Sequence, residues 1–309
     1  MSTSSTPHPP TLTTSEKVVT VDEAASEHEV AAARTRPRHL ITLDGRPTMI
    51  GYLGSLLRAR ELTTSIVRND LRSRHSTLVL GWVWNVLDPL LMASVYWAIF
   101  GLILAGRRPE NFLAFLTVAM FLFRFMQDSM IGGANTLHRS VGMIRNVRFP
   151  RAVLPLAEVL RNLVTLYWQL PVVAIIVLAT FGRLRPGWGM FLGVLIPLAG
   201  LFALGGAMLF ARIAAAFADV TRFLPYAFRI AFYASGVLFP IDAFLTDHPL
   251  GPWLPINPFY SFVTLARHLT LRPIDDTGVL WTSVLVWTLV LCGVGLRAFI
   301  GGEQRYGRG

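Results

Sequence analysis

The sequence predicts an all-α integral membrane protein: six transmembrane helices, an amphipathic interface helix before them, and re-entrant short helices before the last span. Three observations carry that prediction. The 309 residues are 53% hydrophobic and only 15% charged, with a mean hydropathy of +0.52, too apolar for a water-soluble domain. Six segments reach or approach the ~20 apolar residues that cross a hydrocarbon core of about 30 Å. The basic residues gather in alternate connections between those segments, as the orientation of a membrane protein requires.

Taken in chain order, residues 1–50 read as a disordered cytoplasmic tail, since the first 30 hold eleven Ser/Thr, three Pro and five acidic residues and no core-forming run. They lack the apolar stretch of a signal peptide. Residues 51–75 read as the interface helix. On a wheel Leu53, Leu56, Leu57, Leu62, Ile66, Val67 and Leu71 share one face and Arg58, Glu61, Arg68 and Arg72 the other, while Arg60 and Asp70 fall on the apolar side. Arg74 closes the basic run. Such a helix lies in the headgroup plane, as a plain anchor or with its guanidinium groups on phosphates or a partner.

Residues 76–302 form the six-span domain, with spans at 81–106, 111–135, 153–182, 188–211, 222–241 and 277–297, followed by a cytoplasmic tail at 303–309. The second and fifth are the weaker ones, being interrupted by Arg124, Asp128 and Arg229. Between the fifth and sixth, six prolines from Pro240 to Pro273 alternate with aromatics, which suits two short helices dipping into the outer leaflet or a plain external loop. Loops on the terminal side carry 19 Arg and Lys against 6 on the other, so the positive-inside rule places both termini in the cytoplasm.

Composition also excludes functions. Lys17 is the only lysine, so the chain lacks a Walker A loop and does not bind ATP in that way. Cys292 is the single cysteine, which rules out an internal disulfide and suits a small buried apolar side chain. The histidines have no metal-ligand spacing. The net charge of +10 is explained by its loop distribution, without a nucleic-acid partner.

Charges inside spans are costly. Arg124 with Asp128 (i, i+4) and Glu158 with Arg161 (i, i+3) can neutralise one another on one helix face. Asp88 and Arg229 have no local partner, which leaves a cross-helix pair, a wet path or a headgroup contact. Aromatics concentrate on the first span (Trp82, Trp84, Tyr96, Trp97, Phe100) and the fifth (Phe223, Tyr226, Phe228, Phe232, Tyr233). Rings so placed can stack on the C–H faces of sugars along a channel, form an interfacial belt, or simply face lipid.

Several stretches resemble the permease subunits of ABC-2 type exporters, in particular those for O-antigen, teichoic acid and related lipid-linked polysaccharides. These are Arg68-Asn69-Asp70-Leu71-Arg72-Ser73-Arg74 with Leu80-Gly81-Trp82-Val83-Trp84, and Met143-Ile144-Arg145-Asn146-Val147-Arg148-Phe149-Pro150-Arg151 with Leu154-Pro155-Leu156. Phe217-Ala218-Asp219-Val220 and Asn257-Pro258, with Arg267 downstream, follow in the same order. The chain departs from the family pattern at His75, Asp88 and Ala218.

The resemblance implies a half-transporter: two copies of this chain with two separate nucleotide-binding ATPase subunits, which hold ATP and Mg while this chain holds no cofactor and has no catalytic residue. It implies a coupling helix docked on the ATPase through Arg145, Arg148, Phe149, Pro150 and Arg151, and an interface helix carrying Arg58, Arg68, Asp70, Arg72 and Arg74. A channel between the first and fifth spans would be lined by Trp82, Trp84, Tyr96, Trp97, Phe100, Phe223, Tyr226 and Tyr233. An external gate would hold Asn257, Pro258, Phe259 and Arg267. The implied cargo is a polyprenyl-diphosphate-linked polysaccharide crossing the inner membrane. Heavy use of Arg over Lys points to a GC-rich genome, where relatives of this family include galactan exporters. The rival readings are an ABC-2 exporter of a small drug or lipid, a proton-coupled carrier resting on Asp88, and a membrane glycosyltransferase.

Overall fold

The computed structural model describes residues 54, 56, 58–76, 81–103, 111–146, 149–242, 248–249, 251–274 and 276–302, and within its helices the side chains at 69–76, 81–83, 85, 103 and 145–146 lie outside the description. The two terminal tails predicted from the sequence lie outside it too. All the described residues belong to one compact unit, Pro47–Gly309.

Every regular element among the described residues is helical. The first is α1 (Arg60–Ser76), followed by α2 (Gly81–Ile103), α3 (Phe112–Arg139), the short α4 (Val141–Asn146) and α5 (Val153–Phe181). Next, α6 (Gly187–Met190), a π turn (Phe191–Leu195) and α7 (Ile196–Ala216) run on as one 30-residue helix, Gly187–Ala216. The chain continues through α8 (Val220–Ala234), a 3-10 turn (Gly251–Ile256), α9 (Pro258–Thr270) and α10 (Gly278–Gly302).

Four helices, namely α3, α5, Gly187–Ala216 and α10, are long and apolar enough to cross a bilayer. α2 adds a shorter apolar stretch, Val86–Leu102. The fifth span predicted over 222–241 is corrected: α8 stops at Ala234 after 15 residues, about 22 Å at 1.5 Å per residue. The apolar run after it leaves the helix, because the chain turns at Gly236 (φ 64°) and buries Val237 and Leu238 completely. Only glycine suits that turn. A Cβ at Gly236 would meet Ile241 Cγ2 at 2.9 Å in a left-handed backbone.

The second span is corrected in the other direction. Its charges made it look weak, yet α3 is the central helix, with 72% of its apolar window buried against 22% for both α5 and α10. It carries its charges on one side and buries Leu116, Phe123, Met126 and Met130. Where a pair of short helices is expected, the described residues hold helical residues 241–242, a 3-10 turn and α9, whose Phe262, Val263, Leu265 and Ala266 have no accessible surface. Residues 243–247 and 250 of that stretch lie outside the description.

The core is sealed by rings and by glycines. Phe259 of α9 meets Phe123 of α3, Phe202 of α7 and Phe228 of α8 at centroid distances of 5.3, 5.4 and 5.7 Å, pairs worth about 0.5–1.5 kcal/mol each beyond their buried area. Gly205 of α7 and Gly295 of α10 lie backbone to backbone, where a Cβ on either would strike the facing main chain. Small residues allow this close approach between membrane helices.

A second cluster gathers at one end of the bundle: Leu137, Ile144, Val153, Met208 and Phe299, with Leu56, Ala59, Leu62, Ile66 and Phe149 packed on it. It joins α1 and α4 to the last turns of α3, α7 and α10 and the first turn of α5. At the opposite end lie the start of α3, the end of α5 and the segment from Gly236 to Asp242.

Candidate functional site

The expectation for Asp88 resolves into a cross-helix pair. Arg124 of α3 donates from Nη2 to the Asp88 carboxylate of α2, and its Nε lies 3.7 Å from Asp128, one turn further along α3. The expected Arg124–Asp128 neutralisation is therefore the longer of two contacts. Local spacing could not reveal the stronger one, because its partners lie 36 residues apart. The three side chains carry two negative charges and one positive, and they are 40% (Arg124), 50% (Asp88) and 53% (Asp128) exposed. Half-exposed charges on apolar helices cannot be left to hydrocarbon; they require water or another polar surface.

Glu158 and Arg161 pair along α5 as expected, buried and beside Asn162, which in turn donates to Ser129 Oγ on α3. This second ionic group is internal to the bundle.

The predicted aromatic residues divide between exposed and inward positions. Trp84 and Trp97 of α2 and Phe223, Tyr226 and Tyr233 of α8 are exposed, while Tyr96 and Phe100 are half-buried. Phe228 and Phe232 face inward, the first buried and the second half-buried against the core. The structure brings α2 and α8 together. The Tyr96 ring lies 6.0 Å from that of Phe232, and Arg229 sits 6.0 Å from the Tyr226 ring, a cation–π contact. On α8 the exposed Phe223, Tyr226, Ile230 and Tyr233 recur every three or four residues, opposite the buried Leu224 and Phe228. The Trp82 side chain lies outside the described residues.

At the end holding α1, the wheel is largely as read, with Leu56 buried, Leu62 and Ile66 half-buried, and Arg58, Glu61 and Arg68 exposed. Arg60 is corrected: it is exposed as well, because α1 rests against α5 along a narrower apolar strip than the sequence suggested. The side chains of Asp70, Arg72 and Arg74 lie outside the description. Of the motif around α4, Arg148 and the Arg145 side chain lie outside it too. Ile144 is buried, and the half-buried Phe149 packs on this chain's own cluster, so its apolar contact is internal. The carbonyls of Pro150 and Arg151 accept from Val153 and Leu154 and start α5.

Asn257, Pro258, Phe259 and Arg267 build a joint. Asn257 caps α9, accepting from the Phe259 amide at 3.0 Å, and its Nδ2 donates to Ala234 O and Ser235 Oγ at the end of α8. Pro258 occupies the first turn, where no amide is lost. The Arg267 guanidinium donates to the carbonyls of Phe115, Gly236 and Val237 at 3.2, 2.8 and 2.7 Å and lies 3.4 Å from the Phe115 ring. One residue thereby ties α9, α3 and the turn after α8. The sequence marked Arg267 by position alone.

A cavity of about 420 Å³ opens beside this joint, lined by Phe115, Phe181, Asp242, Tyr260, Thr264 and Arg272 among others. Sequence reading missed it, since its walls come from four separate stretches. No cluster of three or more potential metal ligands occurs among the described residues. Cys292 is half-buried and donates to Leu201 O at 3.1 Å.

No family model matches the chain. Individual proteins do. The chain is 29% identical over 217 residues to the O-antigen export system permease protein RfbA of Myxococcus xanthus, covering 70% of this chain and 82% of the relative. It is 27% identical over 253 residues to the RfbA protein of Klebsiella pneumoniae, covering 81% and 93%. The polysialic acid transport protein KpsM of Escherichia coli is 20% identical over 241 residues, 74% of this chain and 89% of the relative. These alignments span most of both partners, and the apolar helices make the chain a multi-pass membrane protein. Over most of its length the chain is thus similar to permease and transport proteins of polysaccharide export systems.

Proposed function

We propose that the chain is the membrane half of an ATP-driven exporter that carries a polyprenyl-diphosphate-linked polysaccharide from the cytoplasm to the outer face of the inner membrane. Two copies assemble with two ATPase subunits, and those subunits bind ATP and Mg. Six crossings are made, the first by α2 and the fifth by α8 with the turn that follows it. Both termini, α1 and α4 lie on the cytoplasmic side, in keeping with 19 basic residues there against 6 opposite.

One observation supports the conducting path above others: α2 and α8 meet at the Tyr96 and Phe232 rings and both expose further rings, while α2 and α3 carry the half-exposed Asp88, Arg124 and Asp128. A wet lumen satisfies these charges, while the rings offer flat apolar faces to sugar C–H groups without gripping any one of them. The arginines of α1 suit the diphosphate of the carrier lipid, since guanidinium groups bind phosphate oxygens in pairs. Closure of the ATPase subunits around nucleotide moves the docked α4 segment, and rigid-body motion of the helices opens the path. The joint of Asn257 and Arg267 anchors the external gate. Among polymers, cell-wall galactan is the one proposed, on the preference for Arg over Lys.

Depletion of the chain in its native cell tests this reading. Surface polysaccharide is expected to fall while the polyprenyl-linked glycan accumulates on the cytoplasmic leaflet, measured by extraction and sugar analysis. Normal surface glycan, with a small lipid or drug retained instead, would favour the rival ABC-2 reading.

A further inference from the structure

The outward surfaces of the bundle are of two kinds. The exposed stretches of α5 from Tyr167 to Leu178 and of α10 from Val279 to Val294 hold no charged residue and so suit hydrocarbon. α2 and α8 differ. On α2, Asp88 stands in one exposed row with Trp84, Leu91, Val95, Ile99 and Leu102, at steps of three or four residues. Together with Arg124 and Asp128 of α3 it forms a half-exposed group with one negative charge in excess. α8 carries the opposite charge: Arg229 is exposed, with the Tyr226 ring 6.0 Å from its guanidinium. Among the described residues no ion pair joins Arg229 to Asp88 or Asp128 of its own chain.

Depth decides whether a second copy can match these charges. The Tyr96 ring lies beside that of Phe232, which sets α2 and α8 level with one another at that point. Arg229 comes three residues before Phe232 and Asp88 eight before Tyr96. At 1.5 Å per residue they stand about 4.5 and 12 Å from this level, on the same side of it when both helices cross outward. The difference of ~7.5 Å is within the combined reach of an arginine and an aspartate side chain. A two-fold axis along the membrane normal keeps every residue at its own depth and makes each contact occur twice. A phospholipid headgroup would match Arg229 but repel the acidic group, whereas a second copy offers a partner to both. We infer that Arg229 of a second copy completes the Asp88–Arg124–Asp128 group, and that the two symmetric contacts hold α2 of one copy against α8 of the other while the path is closed. Water of the open path replaces Arg229 when the copies part. The inference rests on the two-copy part of the proposed function and deepens it by naming the face and the residue that each copy supplies; the cargo does not enter.

Cross-linking in native membranes tests it. Two differently tagged full-length copies are co-expressed in a Cys292→Ala background, one with Asp88→Cys and the other with Arg229→Cys, and treated with a short bis-maleimide. Each chain then holds a single thiol, so a doubly tagged product arises only between copies. That product is expected, and substituting Leu289→Cys, on the uncharged face of α10, for Arg229→Cys should abolish it. Separately, Arg229→Glu is expected to weaken self-association about tenfold, read as co-capture of the second tag after mild detergent extraction, while Arg229→Lys keeps the charge and most of the co-capture. Absence of the doubly tagged product, an equal yield with Leu289→Cys, or undiminished co-capture with Arg229→Glu would overturn the inference. The two readings fail separately. Cross-linked copies in cells whose surface polysaccharide does not depend on the chain remove the cargo reading alone, and dependence of that polysaccharide on a chain that fails to cross-link removes this inference alone.

Discussion

Asp88 and Arg124 show how a single pair can set the character of a membrane face. They join α2 to α3 while remaining half exposed, and each charge alone at hydrocarbon depth costs about 2.5–3.5 kcal/mol on insertion scales. Asp88→Arg sets two guanidinium groups against each other, with only Asp128 to compensate. That variant is expected to lose most of its monodisperse material on detergent size exclusion, and adding Arg124→Asp should restore much of it by re-forming the pair with reversed polarity. A single variant as well behaved as the natural chain would mean that water, rather than the ion pair, satisfies Asp88. The sequence disclosed each charge and its cost but not the partner, because the contact is set by how α2 and α3 pack.

At the scale of elements, the same sequence signals had unequal value. Long uncharged runs such as Trp188 to Ala211 mark a helix unambiguously, and Gly187–Ala216 is that helix. The run Gly236 to Ile241 was equally apolar but is folded into the core by a left-handed glycine, a distinction that hydropathy cannot make. α9 falls where short helices are expected; its Pro-flanked, mixed composition matches both a loop and a short helix, and the fold makes it a helix with Phe262 and Leu265 buried. α1 and α4 are read more directly, being amphipathic or basic and fixed to one apolar cluster. Arg145, Arg148 and Arg151 remain the polar part of the proposed ATPase dock, while Phe149 holds the segment to its own bundle. Arg145→Glu with Arg151→Glu is expected to weaken ATPase association about tenfold, as reversed rim charges do. Co-purified ATPase should fall accordingly while helical circular dichroism is unchanged; undiminished association would place the dock elsewhere.

For the whole molecule, the bundle has two chemically different ends. One gathers α1, α4 and the helix ends that carry the basic connections; the other holds the Asn257–Arg267 joint and the cavity. Loop charges made that polarity legible in the sequence, as did the order of the motifs; the RfbA relatives align over 70 to 81% of the chain. The cavity was illegible, because Phe115, Phe181, Asp242 and Tyr260 meet only once four stretches have folded together. On the proposed function, the chain draws its energy from a separate ATPase. The most direct test is affinity purification of the full chain from its native membrane in mild detergent, with mass spectrometry and an ATPase assay on the product. A stoichiometric partner bearing a Walker A loop, with ATP turnover in the complex, is the expected result. A chain that purifies alone and without ATPase activity would contradict the exporter assignment and return attention to Asp88 as the centre of a proton-coupled carrier.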